Sequence, residues 1–346
     1  MNSAPANSKE LLLEVKDLAV EFDTYGGTVQ AVRGVNFSVE EGKTLAIVGE
    51  SGCGKSVTVQ SMMGLIPMPP GRITSGSARL KGHEILGRTI VNGKEIRGSE
   101  IGMIFQDPMT SLNPTMTIGD QIAEPLQVHR GYSYKKAFAE AIRLLEMSKI
   151  PEAAKRARQY PFEFSGGMLQ RAMIAMAIAC KPSILIADEP TTALDVTIQA
   201  QILDLLQDLQ KETGMAIILI THDLGVVARM ADEVAVMYAG KIVEHGMVDD
   251  VFYRSAHPYT LGLKDAMPNN DPSLQHELKP IEGSPPDLFS PPQGCGYTAR
   301  CPYAMQICSK QQGENTYLTE HHFSRCWLHN SASPNKPDQL YFKEGA

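Results

Sequence analysis

The sequence predicts an α/β fold with a mixed sheet, on three observations. Short apolar runs that fit buried strands alternate with helical segments over the first 250 residues or so. A glycine-rich loop, Gly49–Ser56, lies between one apolar run and one helical segment. A further apolar run ends in two adjacent carboxylates, Asp188 and Glu189. These features indicate a globular domain built around one loop.

Composition narrows the class of protein. The chain has 346 residues, of which 43% are hydrophobic and 21% charged, as in globular proteins with a buried core. Its net charge of −7 and pI of about 5.8 argue against nucleic acid as the main partner. Residues 1–10 are polar and are predicted to be flexible, and Leu11–Leu13 is too short for a signal peptide. No apolar run reaches 18 residues, so we expect a cytosolic chain without membrane spans or structural disulfides.

The glycine-rich loop reads G-x-x-x-x-G-K-S, the P-loop pattern. The apolar run 44–48 precedes it and the helical segment 57–65 follows it, which is the context of a phosphate site. Backbone N–H groups and the helix N-terminus would face phosphate oxygens, Lys55 would bind the β- and γ-phosphates, and Ser56 would bind Mg²⁺. The predicted nucleotide-binding residues of the loop are Gly49, Ser51, Gly52, Cys53, Gly54, Lys55, Ser56 and Val57.

Before the loop, the two alternating blocks Leu12–Phe22 and Val29–Val39 flank the turn-rich Asp23–Gly27 and predict a β-hairpin. Phe22 at the end of the first block is a candidate for stacking on a purine base, and Tyr25 is a second. An equal alternative is that Phe22 belongs to the core.

After the loop, strand-like residues extend to about Leu80, and Ile101–Phe105 is another apolar strand that ends in Gln106. A glutamine at such a strand end can reach Mg²⁺ or the attacking water, although most only cap a turn. Residues 117–158 then show helical spacing, which predicts an inserted helical subdomain with limits of about 107–164.

Two segments that follow bring polar groups to the ends of secondary-structure elements. Ser165, Gly166 and Gly167 precede a long apolar helix, which makes either a second anion-binding helix N-terminus or a glycine turn with a serine cap. Asp188 would hold Mg²⁺, and Glu189 would polarise the water that attacks the γ-phosphate.

The remainder of this region continues the alternation. Thr191–Asp195 leads into an amphipathic helix over 196–212, and the buried strand 215–220 is followed by His222. The histidine can donate a hydrogen bond to the γ-phosphate, or it can be structural. Strands over 234–237 and 241–244 complete the predicted sheet.

Over about residues 11–250 the chain resembles the nucleotide-binding subunit of ATP-binding-cassette (ABC) transporters. The motifs occur in that family's order and spacing: Gly49–Ser56, Gln106, Ser165–Gly167, Asp188–Glu189, Asp195 and His222.

The resemblance implies a P-loop ATPase that binds ATP and Mg²⁺ and pairs head to tail with a second ATPase subunit. Ser165, Gly166 and Gly167 of one subunit would then contact the ATP of the other, and Asp195 would belong to the same site. The family's usual signature is Leu-Ser-Gly-Gly-Gln, whereas Phe164 and Met168 flank the motif here. Gln106 and the helical subdomain resemble the part that docks on the permease.

Residues 251–346 are predicted to form a small, loop-rich C-terminal extension. His257–Thr260, Pro285–Leu288 and a cysteine cluster make it similar to that of oligopeptide and dipeptide permease ATPases, especially the D-type subunit. The resemblance implies a peripheral ATPase at the cytoplasmic membrane face, under two transmembrane permease subunits. An F-type ATPase or a second copy would be its partner, and an extracytoplasmic peptide-binding protein would deliver substrate. Import of nickel complexes or glutathione is an alternative, as is a soluble ABC protein acting on ribosomes or DNA.

The four clustered cysteines have the spacing C-x5-C-x6-C-x17-C, which fits neither the common zinc sites nor ferredoxins. Zinc, an iron–sulfur cluster and free thiols all remain open on spacing, as does a zinc module that binds nucleic acid. The resemblance implies a [4Fe–4S] cluster on four residues: Cys295, Cys301, Cys308 and Cys326.

Overall fold

The computed structural model describes residues 11–88, 90–91, 93–192, 194–267, 279–334 and 336–343. The predicted flexible segment 1–10 therefore lies outside the described residues. Apart from those gaps, one compact unit contains residues 11–13, 38–44 and 79–220. A second compact unit contains residues 14–37, 45–78 and 221–343.

The strands are β1 (Leu11–Thr24), β2 (Gly27–Glu40), β3 (Thr44–Val48), β4 (Gly71–Leu80), β5 (His83–Glu84), β6 (Ile90–Val91), β7 (Lys94–Glu95), β8 (Ile101–Ile104), β9 (Ile184–Asp188), β10 (Ala216–Thr221), β11 (Glu233–Tyr238), β12 (Lys241–Met247), β13 (Thr316–Tyr317) and β14 (Phe323–Ser324).

The α-helices are α1 (Lys55–Met62), α2 (Pro108–Ser111), α3 (Ile118–Arg130), α4 (Tyr134–Met147), α5 (Ala153–Arg156), α6 (Gly166–Ala177), α7 (Val196–Thr213), α8 (Leu224–Met230), α9 (Val248–Tyr253), α10 (Pro258–Asp265) and α11 (Gln306–Lys310). Within the described residues, no helix combines the length and apolar character needed to cross a membrane.

In the first unit, β8, β9 and β10 are parallel neighbours, with Ile184 of β9 opposite Ile101 and Ala216. All residues of these strands are buried, which explains why they are continuous apolar runs rather than alternating ones. Helices α3 and α4 pack on each other and on α6, as expected of a helical insertion, and its limits of about 107–164 stay a prediction.

In the second unit, β3 runs parallel to β11, which pairs antiparallel with β12, and β12 in turn pairs with β14. The core of this unit contains side chains of β3 and β11 together with Tyr259 and Tyr297, which come from beyond residue 250. The predicted extension therefore shares a core with the strand that leads into the P-loop.

The predicted fold class, an α/β sheet with an additional antiparallel region and a helical insertion, is confirmed. β1 and β2 are neighbours joined by the turn at Tyr25 and Gly26, as the hairpin prediction required. Helix α6 begins at Gly166, so the two glycines of the Ser-Gly-Gly motif lie in its first turn rather than before it. The domain limits of 11–250 and 251–346 stay a prediction.

Candidate nucleotide site

The P-loop backbone follows a path that only glycine allows at two positions. Gly49 has φ +153°, and a Cβ there would lie 2.1 Å from the carbonyl oxygen of Met237. Gly54 has φ +102°, and its Cβ would lie 2.3 Å from the carbonyl oxygen of Ala31. The glycines of the motif therefore let the loop pass directly against neighbouring backbone.

Lys55 is the first residue of α1 and is only 5% exposed. Its Nζ donates hydrogen bonds to the carbonyl oxygens of Gly49 and Glu50, at 2.8 and 3.0 Å. Gly54 is the N-cap and has no side chain to cap the helix. A glycine-capped N-terminus and a neighbouring ammonium group together suit a phosphate group.

The remaining residues of the motif differ in exposure. Cys53 is buried, and burial raises the pKa of its thiol. Ser51 and Gly52 are exposed, whereas Ser56 and Val57 are half-buried.

The two aromatic candidates for base stacking are not equivalent. Phe22 is half-buried, and its ring lies so close to Gly71 that a Cβ there would be 3.1 Å from Cε1. Tyr25 in the adjoining turn is fully exposed. The Phe22 ring therefore lies beside Gly71, and its stacking on a base stays a prediction. His222 is exposed directly after β10, and the next residue, Asp223, caps α8.

In the first unit, the carboxylate of Glu189 lies between two polar side chains. Gln106 Nε2 donates to Glu189 Oε2 at 3.1 Å, and Thr192 Oγ1 donates to the same oxygen at 2.9 Å. Glu189 has φ +46°, which is rare for a residue with a side chain, and its N–H donates to Ile220. Asp188, the last residue of β9, is 4% exposed. The structure thus joins the predicted Gln106 and Glu189 directly.

The Ser-Gly-Gly motif forms the start of α6. Ser165 is the N-cap residue and is exposed, but its hydroxyl makes no capping hydrogen bond. Gly166 has open space where a Cβ would stand, whereas a Cβ at Gly167 would lie 2.9 Å from Cγ2 of Ile198. Asp195 caps α7 by accepting a hydrogen bond from the N–H of Ile198 at 2.9 Å.

Comparison with known proteins decides the family. The ABC transporter family matches residues 32–192, and the C-terminal region of oligopeptide/dipeptide transporters matches residues 243–308. The oligopeptide transport ATP-binding protein OppD of Bacillus subtilis is 56% identical over 93% of this chain and 90% of its own length. The dipeptide transport ATP-binding protein DppD of the same organism is 54% identical over 92% and 95%. This chain belongs to the oligopeptide and dipeptide transport family of ABC ATP-binding proteins.

A solved structure supports the fold. A dimeric ATP-binding cassette, MJ0796, in a post-hydrolysis state with ADP and phosphate, aligns with a TM-score of 0.59 at 26% identity. The alignment covers 68% of this chain and 98% of that one. The predictions of an ABC cassette, of an ATPase and of a peptide-importer subunit are confirmed, and ATP and Mg²⁺ are the ligands that the family implies.

The predicted [4Fe–4S] cluster is wrong. Within the described part of the chain, no group of three or more His, Cys, Asp or Glu side chains is arranged to hold a metal ion. Cys295, Cys301, Cys308 and Cys326 line one small cavity but are free thiols. Burial raises the pKa of Cys301 to about 11 and also raises that of Cys295 and Cys326. It thus disfavours the thiolate form that binds metals, and the metal-binding role predicted for these four cysteines is wrong as well.

Sequence reasoning missed several residues at these sites. Thr192 lies in the segment that leads into α7 and belongs to none of the predicted motifs, although it contacts Glu189. Glu50 lies inside the P-loop pattern at a position that the pattern leaves open. The Glu50 carboxylate accepts a hydrogen bond from Arg300, which is 250 residues away in the chain. Apart from its place beside a cysteine, Arg300 has no sequence feature that predicts this contact.

Proposed function

We propose that this chain hydrolyses ATP to drive peptide import, as one of two ATPase subunits at the cytoplasmic face of a membrane. The observation that carries the chemistry is the carboxylate of Glu189, held by Gln106 and Thr192 at the end of β9. A general base must be oriented before it can act, and these two hydrogen bonds orient it.

In the proposed binding step, the P-loop N–H groups and Lys55 hold the β- and γ-phosphates of ATP. The glycine-capped start of α1 adds favourable partial charge. The Ser56 hydroxyl, Asp188 and Gln106 are the proposed oxygen ligands of Mg²⁺, which neutralises phosphate charge when bound. These assignments rest on the order of the motifs and on the chemistry of each side chain.

In the proposed hydrolysis step, Glu189 accepts a hydrogen bond from the attacking water and increases the electron density on its oxygen. Gln106 keeps the carboxylate in place, and His222 donates a hydrogen bond to the γ-phosphate. The water oxygen bonds to the γ-phosphorus as the bond between the γ-phosphorus and the bridging oxygen breaks, Glu189 takes up the proton that the water loses, and ADP and phosphate leave.

The proposed working form is a head-to-tail ATPase dimer under two permease subunits, with a peptide-binding protein on the other side of the membrane. Ser165, Gly166 and Gly167 would contact the ATP held by the partner's P-loop. The open space at Gly166 suits such an approach. The partner would be an F-type subunit or a second copy, and the dimeric state of the solved cassette supports pairing.

Two substitutions separate binding from hydrolysis in the full chain. Lys55→Ala should weaken ATP binding by about a hundredfold, because it removes the phosphate-binding ammonium group. Glu189→Gln should bind ATP normally but release phosphate at least a hundredfold more slowly. Equilibrium binding and single-turnover hydrolysis measure the two steps, with Lys211→Ala and Glu212→Gln as surface controls. Full turnover by Glu189→Gln would refute the assigned base.

A further inference from the structure

The carboxylate of Glu50, the second residue of the P-loop, forms a bidentate ion pair with Arg300 of the C-terminal extension. Arg300 Nη1 donates to Glu50 Oε2 at 2.6 Å, and Nη2 donates to Oε1 at 2.9 Å. The Arg300 side chain is only 5% exposed and that of Glu50 is 25% exposed. A largely buried pair with two parallel hydrogen bonds fixes geometry far better than a surface ion pair.

Every N–H group of the Arg300 guanidinium donates a hydrogen bond. Its remaining N–H groups donate to the carbonyl oxygens of Glu282 and Ile281, at 2.9 and 3.1 Å, and to the Tyr238 hydroxyl at 3.2 Å. All five guanidinium donors therefore have an acceptor. Arg300 thereby joins its own stretch of the extension to the P-loop, to the end of β11 and to residues 281–282.

The backbone of Glu50 has a second contact with the same region. Its N–H donates to the hydroxyl of Tyr259 at 2.9 Å. The Tyr259 ring packs on Tyr238 and Tyr297, with ring centroids 4.5 and 5.3 Å apart, inside the core of this unit. The tyrosine hydroxyl is therefore held in place by packing.

We propose that the C-terminal extension, through Arg300 and Tyr259, positions the P-loop of this chain and sets its affinity for ATP. The inference rests on the proposed nucleotide site and adds a positioning device to it. Arg300 and Tyr259 are positioning residues, because they act through Glu50.

Two physical effects would follow from the loss of Arg300. The loop would lose a side-chain constraint, so ATP binding would have to order it at an entropic cost. The Glu50 carboxylate would also stand uncompensated beside the site of the phosphates, where like charge repels. The second effect gives a specific signature, because removal of the Glu50 charge should then restore affinity.

The test measures equilibrium binding of a non-hydrolysable ATP analogue with Mg²⁺ to the full chain. Arg300→Ala should raise the Kd of the analogue by about tenfold. In the double variant with Glu50→Gln, the logarithm of Kd should return about half of the way to the wild-type value. Arg254→Ala is the matched control, since Arg254 also lies beyond residue 250 and pairs with Asp250 instead of the P-loop. It should bind the analogue as the wild type does.

Further variants keep the inference open to refutation. If Arg300→Ala does not fold, Arg300→Lys is used instead, because lysine keeps the charge but loses the second of the two parallel hydrogen bonds. Its Kd should rise about threefold. Folded Arg300 variants with wild-type Kd would overturn the inference, and so would a double variant that binds no better than Arg300→Ala. Lys55→Ala distinguishes the two proposals: if it keeps full affinity, the P-loop site itself fails. If Lys55→Ala loses affinity for the analogue and the folded Arg300 variants do not, only the positioning role is refuted.

Discussion

At the scale of single residues, the proposed ATP hydrolysis depends on how Glu189 is held. Its positive φ places it in a sparsely populated conformation, and the hydrogen bond from its N–H to Ile220 helps to maintain it there. The side chains of Gln106 and Thr192 both donate a hydrogen bond to one carboxylate oxygen of Glu189, Oε2. Oε1 receives neither of these two bonds. We expect the backbone to set the place of the carboxylate and the two donors to set its rotation.

Thr192→Val tests this division of roles. Valine keeps the shape of threonine but loses the donor, so the carboxylate of Glu189 gains rotational freedom. We expect kcat for ATP hydrolysis to fall about tenfold with KM nearly unchanged, which corresponds to ~1.4 kcal/mol. Steady-state kinetics of Thr192→Val and of the control Thr197→Val, an exposed threonine of α7, measure the effect. A change in KM alone would mean that Thr192 acts on binding.

At the scale of elements, helix α7 depends on its N-terminal cap. Asp195 accepts a hydrogen bond from the N–H of Ile198, and Gly214 ends the helix with φ +72°. Between them, a face spaced as in an amphipathic helix is buried: Ile202, Leu203, Leu205, Leu206 and Leu209.

Asp195 has two possible roles, and two substitutions separate them. Asp195→Ala should lower the free energy of unfolding by about 1 kcal/mol, because it removes the cap. Asp195→Asn should keep most of that stability, since asparagine also caps helices. Urea unfolding and ATP hydrolysis are measured on both variants. Stable but inactive Asp195→Asn supports the predicted part in the ATP site, whereas full activity with normal stability assigns the residue to the cap alone.

Much of the element order is visible in the sequence, for physical reasons. β3, β9 and β10 are buried on both faces and therefore appear as unbroken apolar runs. The P-loop is recognisable because only glycine fits at Gly49 and Gly54. Local rules of this kind need no knowledge of distant partners.

Apart from the hydrogen bond of Thr192 to Glu189, three residues away, the contacts that could not be predicted join distant parts of the chain. Arg300 and Glu50 are 250 residues apart, and β14 pairs with β12 over two residues only. A two-residue strand has no periodicity to detect, and an ion pair leaves no pattern in either segment. The four clustered cysteines misled in the opposite direction, because the resemblance to a family does not show whether the sulfur atoms of this chain can ligate one ion.

At the scale of the whole molecule, the C-terminal extension is tied to the sheet by a buried carboxylate. Glu244 of β12 has no exposed surface and accepts hydrogen bonds from the N–H groups of Ala256 and His257, at 2.7 and 2.9 Å. Its Oε1 also lies 2.9 Å from Nε2 of His322. These bonds satisfy a charge that would otherwise be costly to bury.

Acid should weaken this region through His257. Burial, together with the nearby His329, lowers the pKa of His257 to about 3, so the ring stays neutral in the folded chain. The unfolded chain has an ordinary histidine and binds the proton first, so stability is lost as pH falls below about 6.5. From pH 6.5 to 5 this one group should cost about 2 kcal/mol of unfolding free energy.

His257→Asn removes the titration but keeps a side chain that can cap α10, where the Nδ1 atom of His257 now accepts a hydrogen bond from the N–H of Tyr259. Urea unfolding at several pH values compares the variant with the wild type. We expect a shallower loss of stability between pH 6.5 and 5 in the variant. Equal slopes would show that other groups control the acid response.

The central claim is that ATP hydrolysis assisted by Glu189 drives peptide import, and peptide uptake tests it most directly. Membrane vesicles that contain the complete transporter are loaded with ATP and Mg²⁺ on the side of the ATPase subunits, and entry of a radiolabelled short peptide is measured together with phosphate release. We predict both for the wild type, and for Glu189→Gln a loss of both by at least about a hundredfold with ATP still bound. Peptide uptake or phosphate release by Glu189→Gln at the wild-type rate would contradict the account.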